Sequence, residues 1–139
     1  MTRTRPYNLL IADDDDAFRD ILRDIFQPWF SLLEAESGEQ AVEIVECERV
    51  DLVLLDMNMH ELSGIDTIRI VKRIDSRLPC ILVTGEASDE LEMEARRADA
   101  WGVLPKPIRK RELLKSVSTA IDSTYGDPDV FSLPFGSMN

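Results

Sequence analysis

Five short apolar runs, four of them closed by a polar residue and each followed by a stretch with helical spacing, set the tightest limit on what this chain can fold into. The first run is Tyr7 to Ala12, and it stops at four aspartates, Asp13 to Asp16. Phe18, Ile21, Leu22, Ile25 and Phe26 then recur at the i, i+3, i+4, i+7 and i+8 positions of one helix face, which Pro28 ends. A second run, Leu32 to Ala35, leads to Ser37-Gly38-Glu39-Gln40, where Ser37 is placed to cap a helix and Gln40 to reach back as a capping box. Ala41, Ile44 and Val45 face inward on that helix. Asp51 to Leu55 is apolar after its first residue, as expected of a central parallel strand covered on both faces, and it ends at Asp56. Beyond the loop Met57 to Gly64, Ile65, Ile68 and Val71 mark a third helix. Pro79 introduces the run Cys80 to Val83, closed by Thr84. Leu91 and Ala95 mark a polar fourth helix, Trp101 to Leu104 a fifth strand, and Leu113, Leu114, Val117 and Ile121 a fifth helix.

This alternation predicts an α/β domain with a parallel sheet and right-handed crossovers. A chain of 139 residues has room for one such domain. The period is lost at Gly126, so residues 126–139 read as a flexible C-terminal tail behind a domain of residues 1–125. No run approaches the roughly 18 to 20 apolar residues of a membrane span, and no signal peptide precedes the aspartates, which predicts a cytoplasmic protein. Cys47 and Cys80, with one histidine in the whole chain, suggest neither a disulfide framework nor a zinc site; they read as reduced structural thiols. A net charge of −11 argues against binding phosphate backbones and favours a cation.

In open parallel sheets ligands sit at the carboxyl ends of the strands. Asp13 and Asp14 follow the first run, Asp56 the third, Thr84 the fourth, and Lys106 lies just past the fifth. Clustered carboxylates repel one another unless a cation neutralises them. Mg2+ suits such a set because it is hard, takes oxygen ligands and keeps room for water and a phosphate oxygen. With the metal and Lys106 holding phosphate oxygens and Thr84 donating a hydrogen bond, one carboxylate can attack phosphorus to form an acyl phosphate.

Ile11-Ala12-Asp13-Asp14-Asp15, Leu54-Leu55-Asp56-Met57-Asn58-Met59 with Gly64, Val83-Thr84-Gly85 and Leu104-Pro105-Lys106-Pro107 resemble the receiver domain of two-component response regulators over residues 7 to 123. The resemblance implies a flavodoxin-like (βα)5 three-layer sandwich with strand order 2-1-3-4-5. It implies Asp56 as phosphoacceptor, Asp14 and Asp56 as direct Mg2+ ligands, the Asn58 backbone carbonyl as a further ligand, Asp13 as the group orienting metal-bound water, and Thr84 and Lys106 as the remaining site residues. The implied donor is a histidine kinase or histidine phosphotransfer protein, with small acyl phosphates as substitutes. The Asn58 and Glu86 pair resembles the chemotaxis-type regulators and points to a short-lived phosphorylated state.

Two positions depart from the family pattern. Val103 stands where many receivers carry Tyr or Phe, which puts the usual aromatic switch in doubt and leaves nearby Trp101 as a substitute. His60 replaces a common proline and reads as a plain loop residue. Lys106-Pro107 is a pair often cis in the family. Seven basic residues between Arg96 and Lys115, against Asp99 and Glu112, read as a surface for a downstream protein or a second copy, without direct nucleic-acid contact.

The expected function is a stand-alone, phosphorylation-controlled receiver that signals through protein contacts and is no enzyme beyond self-catalysed phosphorylation and dephosphorylation. A phosphatase of the haloacid dehalogenase type is the alternative, yet it needs an acid two residues beyond the nucleophile, and Asn58 stands there. A phosphate-independent adaptor is the third reading.

Overall fold

The computed structural model describes residues 5–132. Five strands, β1 (Tyr7–Ala12), β2 (Phe30–Ala35), β3 (Leu52–Asp56), β4 (Cys80–Thr84) and β5 (Gly102–Pro105), alternate with five helices, α1 (Asp16–Phe26), α2 (Gly38–Cys47), α3 (Gly64–Ile74), α4 (Asp89–Arg97) and α5 (Lys110–Tyr125). All strand pairs are parallel and the order is β2-β1-β3-β4-β5, as expected of the flavodoxin-like arrangement.

The sheet divides the core in two because successive strand side chains point to opposite faces. Leu10, Ala12, Val53, Leu55, Cys80 and Leu82 meet α2, α3 and α4 through residues such as Ala41, Ile65, Ile68 and Ala95. Leu9, Ile11, Leu52, Leu54 and Ile81 meet α1 and α5 through Leu22, Phe26, Leu113, Val117 and Ile121. Every residue of β3 and β4 is buried, which is why those two runs are continuous in the sequence.

Local chemistry starts the helices. Asp15 accepts from the Ala17 and Phe18 amides at the head of α1, Ser37 from Gln40, Ser63 from Asp66 and Ser88 from Leu91. Gln40 reaches back to the Glu36 amide at 2.7 Å, one residue earlier than the expected capping box.

Three expectations change. β2 begins at Phe30, two residues before the apolar run, because it is an edge strand with only one neighbour and Ser31 can face solvent. The apolar stripe of α1 is rotated: Arg19, Leu22 and Phe26 are buried, while Ile21 is 55% exposed. Ile21, Phe18 and Ile25 instead border an apolar groove of about 380 Å³ shared with Pro107 and Ile108.

The third change lies beyond α5, in the segment expected to be a flexible tail. Residues 126–132 fold back: Val130 is buried and Phe131 meets Phe26, Trp29 and Phe30 at ring-centroid distances of 6.3, 5.1 and 5.9 Å. The turn is made at Gly126, whose φ of 70° suits glycine, and Tyr7 Oη donates to Asp127 Oδ2 at 3.0 Å. Aromatic surface left open at the end of α1 explains the contact. The remainder of the expected tail, residues 133–139, lies outside the described residues.

Candidate functional site

β1 has β2 on one side and β3 on the other, so the chain leaves β1 and β3 in different directions and opens a crevice at their carboxyl ends. The register pairs Ala12 with Leu55, which sets Asp13 and Asp56 side by side. Carboxylate oxygens of Asp13, Asp14 and Asp56 lie within 4.8 Å of one another. Asp13 and Asp56 are buried; Asp14 is exposed at the mouth.

Lys106 reaches in from the end of β5. Its Nζ is 3.1 Å from Asp56 Oδ1 and 3.6 Å from Asp13 Oδ2, and 4.4 Å from the centroid of the Phe18 ring. The Lys106 amide donates to the Thr84 carbonyl at 2.8 Å, tying the two strand ends together, and the Lys106-Pro107 peptide is cis. Thr84 is fully buried at the end of β4 and its hydroxyl oxygen accepts from the Glu86 amide at 3.0 Å. That leaves its O–H to act as a donor.

One ammonium cannot neutralise three carboxylates. Asp13 Oδ1 accepts from the Asp15 amide at 2.9 Å, but Oδ2 is buried with no hydrogen-bond partner. Burial pushes the Asp13 carboxyl above its ordinary value, helped by the nearby Asp56 and Asp14 charges and opposed by the Asp15 amide and Lys106. A buried oxygen without a hydrogen bond, its ammonium partner 3.6 Å away and shared with Asp56, fits a hard divalent cation with oxygen ligands.

The loop after β3 is closed tightly. The Gly64 amide donates to the Met57 carbonyl at 2.8 Å, and a Cβ on Gly64 would lie 2.5 Å from the Asp56 carbonyl oxygen and 2.5 Å from Leu82 Cδ1. Glycine is what lets α3 begin against the back of Asp56. Asn58 and His60 are both exposed in this loop, and His60 Nε2 stands 3.9 Å from Asp14 Oδ2. The expectation of a plain loop histidine did not place it at the mouth of the acidic crevice.

The structure thus gathers Asp13, Asp14, Asp56 and Lys106, sets Thr84 one strand over, and places Asn58 on the rim. It also adds Arg19, which reading the sequence for apolar periodicity passed over. The guanidinium donates to the Asp13 carbonyl and pairs with Asp16 and Glu34, so α1 is fastened to the loop that carries Asp13. The available signal was a charge three and seven residues before Leu22 and Phe26, on their face. Away from the crevice, Val103 is half-buried and lines a cavity of about 240 Å³ with Ala95, Ala100 and the partly exposed Trp101.

The family model described as "Response regulator receiver domain" matches residues 9–118. The chemotaxis protein CheY of Halobacterium salinarum is 31% identical over 114 residues, covering 81% of this chain and 95% of that protein. The transcriptional regulatory protein ZraR of Escherichia coli is 31% identical over 136 residues, 94% of this chain, which spans about a third of its length. Among solved structures, a CheY-like receiver from Methanospirillum hungatei superposes with a TM-score of 0.82 at 25% identity, covering 86% of this chain and 96% of that one. CheY in the CheX-CheY-BeF3-Mg2+ complex from Borrelia burgdorferi gives 0.80 at 25% identity, over 84% and 90%. Crevice, fold and matches agree, and the chain belongs to the response regulator receiver domain family of two-component systems.

Proposed function

We propose that Asp56 accepts the phosphoryl group in this receiver, with Mg2+ held by Asp14, Asp56 and the Asn58 backbone carbonyl, and with Asp13 orienting metal-bound water. The observation that carries the reading is the position of the Asp56 carboxylate, between the Lys106 ammonium at 3.1 Å and two further carboxylates within 4.8 Å. An Asp56 oxygen forms a bond to phosphorus while the bond from phosphorus to the donor's imidazole nitrogen breaks and its electron pair returns to the ring. Mg2+, when bound, withdraws charge from the phosphoryl oxygens. Lys106 pairs with a phosphoryl oxygen, held in place by the Phe18 ring and the Thr84 carbonyl. Thr84 donates a hydrogen bond to another. These donors are preset where negative charge accumulates.

The donor is a histidine kinase or a histidine phosphotransfer protein, with small acyl phosphates able to substitute. Output runs through protein contacts in the cytoplasm, to a downstream target or a second copy. The segment Arg96 to Lys115 supports this: six of its seven basic residues are exposed while Lys106 serves the site. Among the described residues no helix is long and apolar enough to cross a membrane. The chain acts as an acceptor, not a turnover phosphatase, because the Asn58 amide is too weak an acid to transfer a proton to a leaving group as a carboxylic acid would.

Beryllofluoride with Mg2+ tests this as an acyl-phosphate mimic. Amide NMR shifts around Asp56, Thr84 and Lys106 that need both components and vanish in Asp56→Asn support the assignment. An unresponsive wild-type spectrum sinks it.

A further inference from the structure

Arg19 is 7% exposed on the inner face of α1, and the phosphoryl transfer proposed above gives it no part. A guanidinium shut away from water is costly unless its donors are satisfied. Here each nitrogen has a partner: Nη1 donates to the Asp13 carbonyl at 2.5 Å, Nε to Glu34 Oε1 at 3.3 Å, and Nη2 pairs with Asp16 and, at 3.7 Å, with Glu36. We propose that Arg19 is a positioning residue of the crevice: by gripping the Asp13 carbonyl it fixes the direction in which Asp14 leaves β1, and so sets how tightly Mg2+ is held. This rests on the reading of the crevice as a cation site.

The grip acts on the peptide that joins the two aspartates. The Asp13 amide donates to the Ala35 carbonyl at 3.0 Å, so the peptide before Asp13 is tied to the end of β2. Arg19 ties the peptide after it, and Glu34, next to Ala35 on β2, anchors the guanidinium. Both soft dihedrals of Asp13 are then set from β2 and α1. Its side chain follows, with Oδ1 accepting from the Asp15 amide at 2.9 Å. Asp14 is exposed at the mouth, and the peptide that Arg19 holds is its link to the strand.

Charge and orientation make opposite demands. A cation beside Asp13 repels Mg2+, so by Coulomb's law alone its removal should tighten binding. Groups that hold a metal ligand in orientation act the other way, and their loss weakens binding about 10- to 100-fold. Asp16, Glu34 and Glu36 offset the Arg19 charge, which leaves orientation as the larger effect. Arg23 supplies the comparison. It pairs with the same Glu34 and with Asp20, each at 2.8 Å, and among the described residues it makes no hydrogen bond to residues 13–15.

The test measures Mg2+ binding to the full chain by calorimetry and, without metal, hydrogen exchange of the Asp15 amide by NMR. Arg19→Met should weaken Mg2+ binding at least about tenfold, and Arg23→Met should leave it within about twofold. Arg19→Lys keeps the charge but cannot spread donors over the Asp13 carbonyl, Asp16 and Glu34 at once. It too should bind Mg2+ more weakly, and it decides the matter where Arg19→Met does not fold. In these variants the Asp15 amide should speed up at least about tenfold more than the β3 and β4 amides, which report overall stability. Mg2+ affinity that is unchanged or tighter in the Arg19 variants, an equal loss in Arg23→Met, or an Asp15 amide that speeds up no more than those of β3 and β4 overturns the inference. A wild-type chain that fails to bind Mg2+ overturns the cation reading, while exchange of the Asp15 amide still decides whether Arg19 holds the loop.

Discussion

Lys106 Nζ stands 3.1 Å from Asp56 Oδ1 and 3.6 Å from Asp13 Oδ2, so a single ammonium is shared between two buried carboxylates. The same charge that readies the crevice for a phosphoryl group also repels a divalent cation. Lys106→Met should therefore separate two functions. Mg2+ binding should tighten, by about tenfold at low salt, whereas the response to beryllofluoride should be lost. Calorimetry and NMR on the variant check both halves.

Asp13 carries the cost of the metal-free crevice. Its folded pKa is raised by burial above the ordinary 3.8, so the folded state holds its proton more tightly than the unfolded chain does. Stability of the metal-free protein then falls as pH rises from 3.8 through the folded value and stays lower above it. Asp13→Asn should raise the melting temperature of the metal-free protein at neutral pH by a few degrees, about 1 kcal/mol. The same change should abolish most of the stabilisation that Mg2+ gives the wild type. Thermal melts with and without Mg2+ decide it.

Gly64 fixes the distance between α3 and the back of Asp56. A methyl group there would meet the Asp56 carbonyl and Leu82 at 2.5 Å each, inside van der Waals contact. Gly64→Ala should cost about 2 kcal/mol or more and displace the loop of residues 57–63, seen as a lowered denaturant midpoint together with weaker Mg2+ binding.

Val130 and Phe131 close the end of the core formed by α1 and α5. A chain ending at residue 126 should lose about 2–3 kcal/mol in urea unfolding. Phe131→Ala should show only part of that loss, since Val130 would remain in place.

The two thiols should behave oppositely. Burial raises the Cys80 pKa from 9.0 to about 12, whereas Cys47 is exposed on the last turn of α2. A thiol reagent at neutral pH should label one cysteine in the native protein, mapped to Cys47, and two after denaturation.

Much of this was legible in the sequence because burial on both faces leaves an unbroken apolar run; Asp13 follows the last residue of β1, and β3 and β4 end at Asp56 and Thr84, where those runs stop. Periodicity alone failed where a polar residue faces inward. Arg19 takes the inward position on α1 because Glu34, Asp16 and the Asp13 carbonyl satisfy its donors, and Ile21 is turned outward as a result. Edge strands were less legible: β2 has one exposed and three half-buried residues between its buried ends, and β5 is mostly half-buried, so Phe30 and Trp101 fell on the wrong sides of their boundaries. Residues 126–132 carry no period at all, and only the aromatic surface of α1 reveals why Val130 is buried. The approach of His60 to Asp14 joins segments 46 residues apart, a contact no local spacing encodes.

The central claim is that Asp56 takes a phosphoryl group with the help of a cation. Intact-mass spectrometry of the chain after incubation with acetyl phosphate and Mg2+ tests it most directly. The account predicts a gain of one phosphoryl group that requires Mg2+, maps to Asp56, is labile to base as an acyl phosphate is, and is absent from Asp56→Asn. An adduct that forms without Mg2+, or that maps to another residue in the wild type, or no adduct at all in a protein that binds Mg2+, would contradict it.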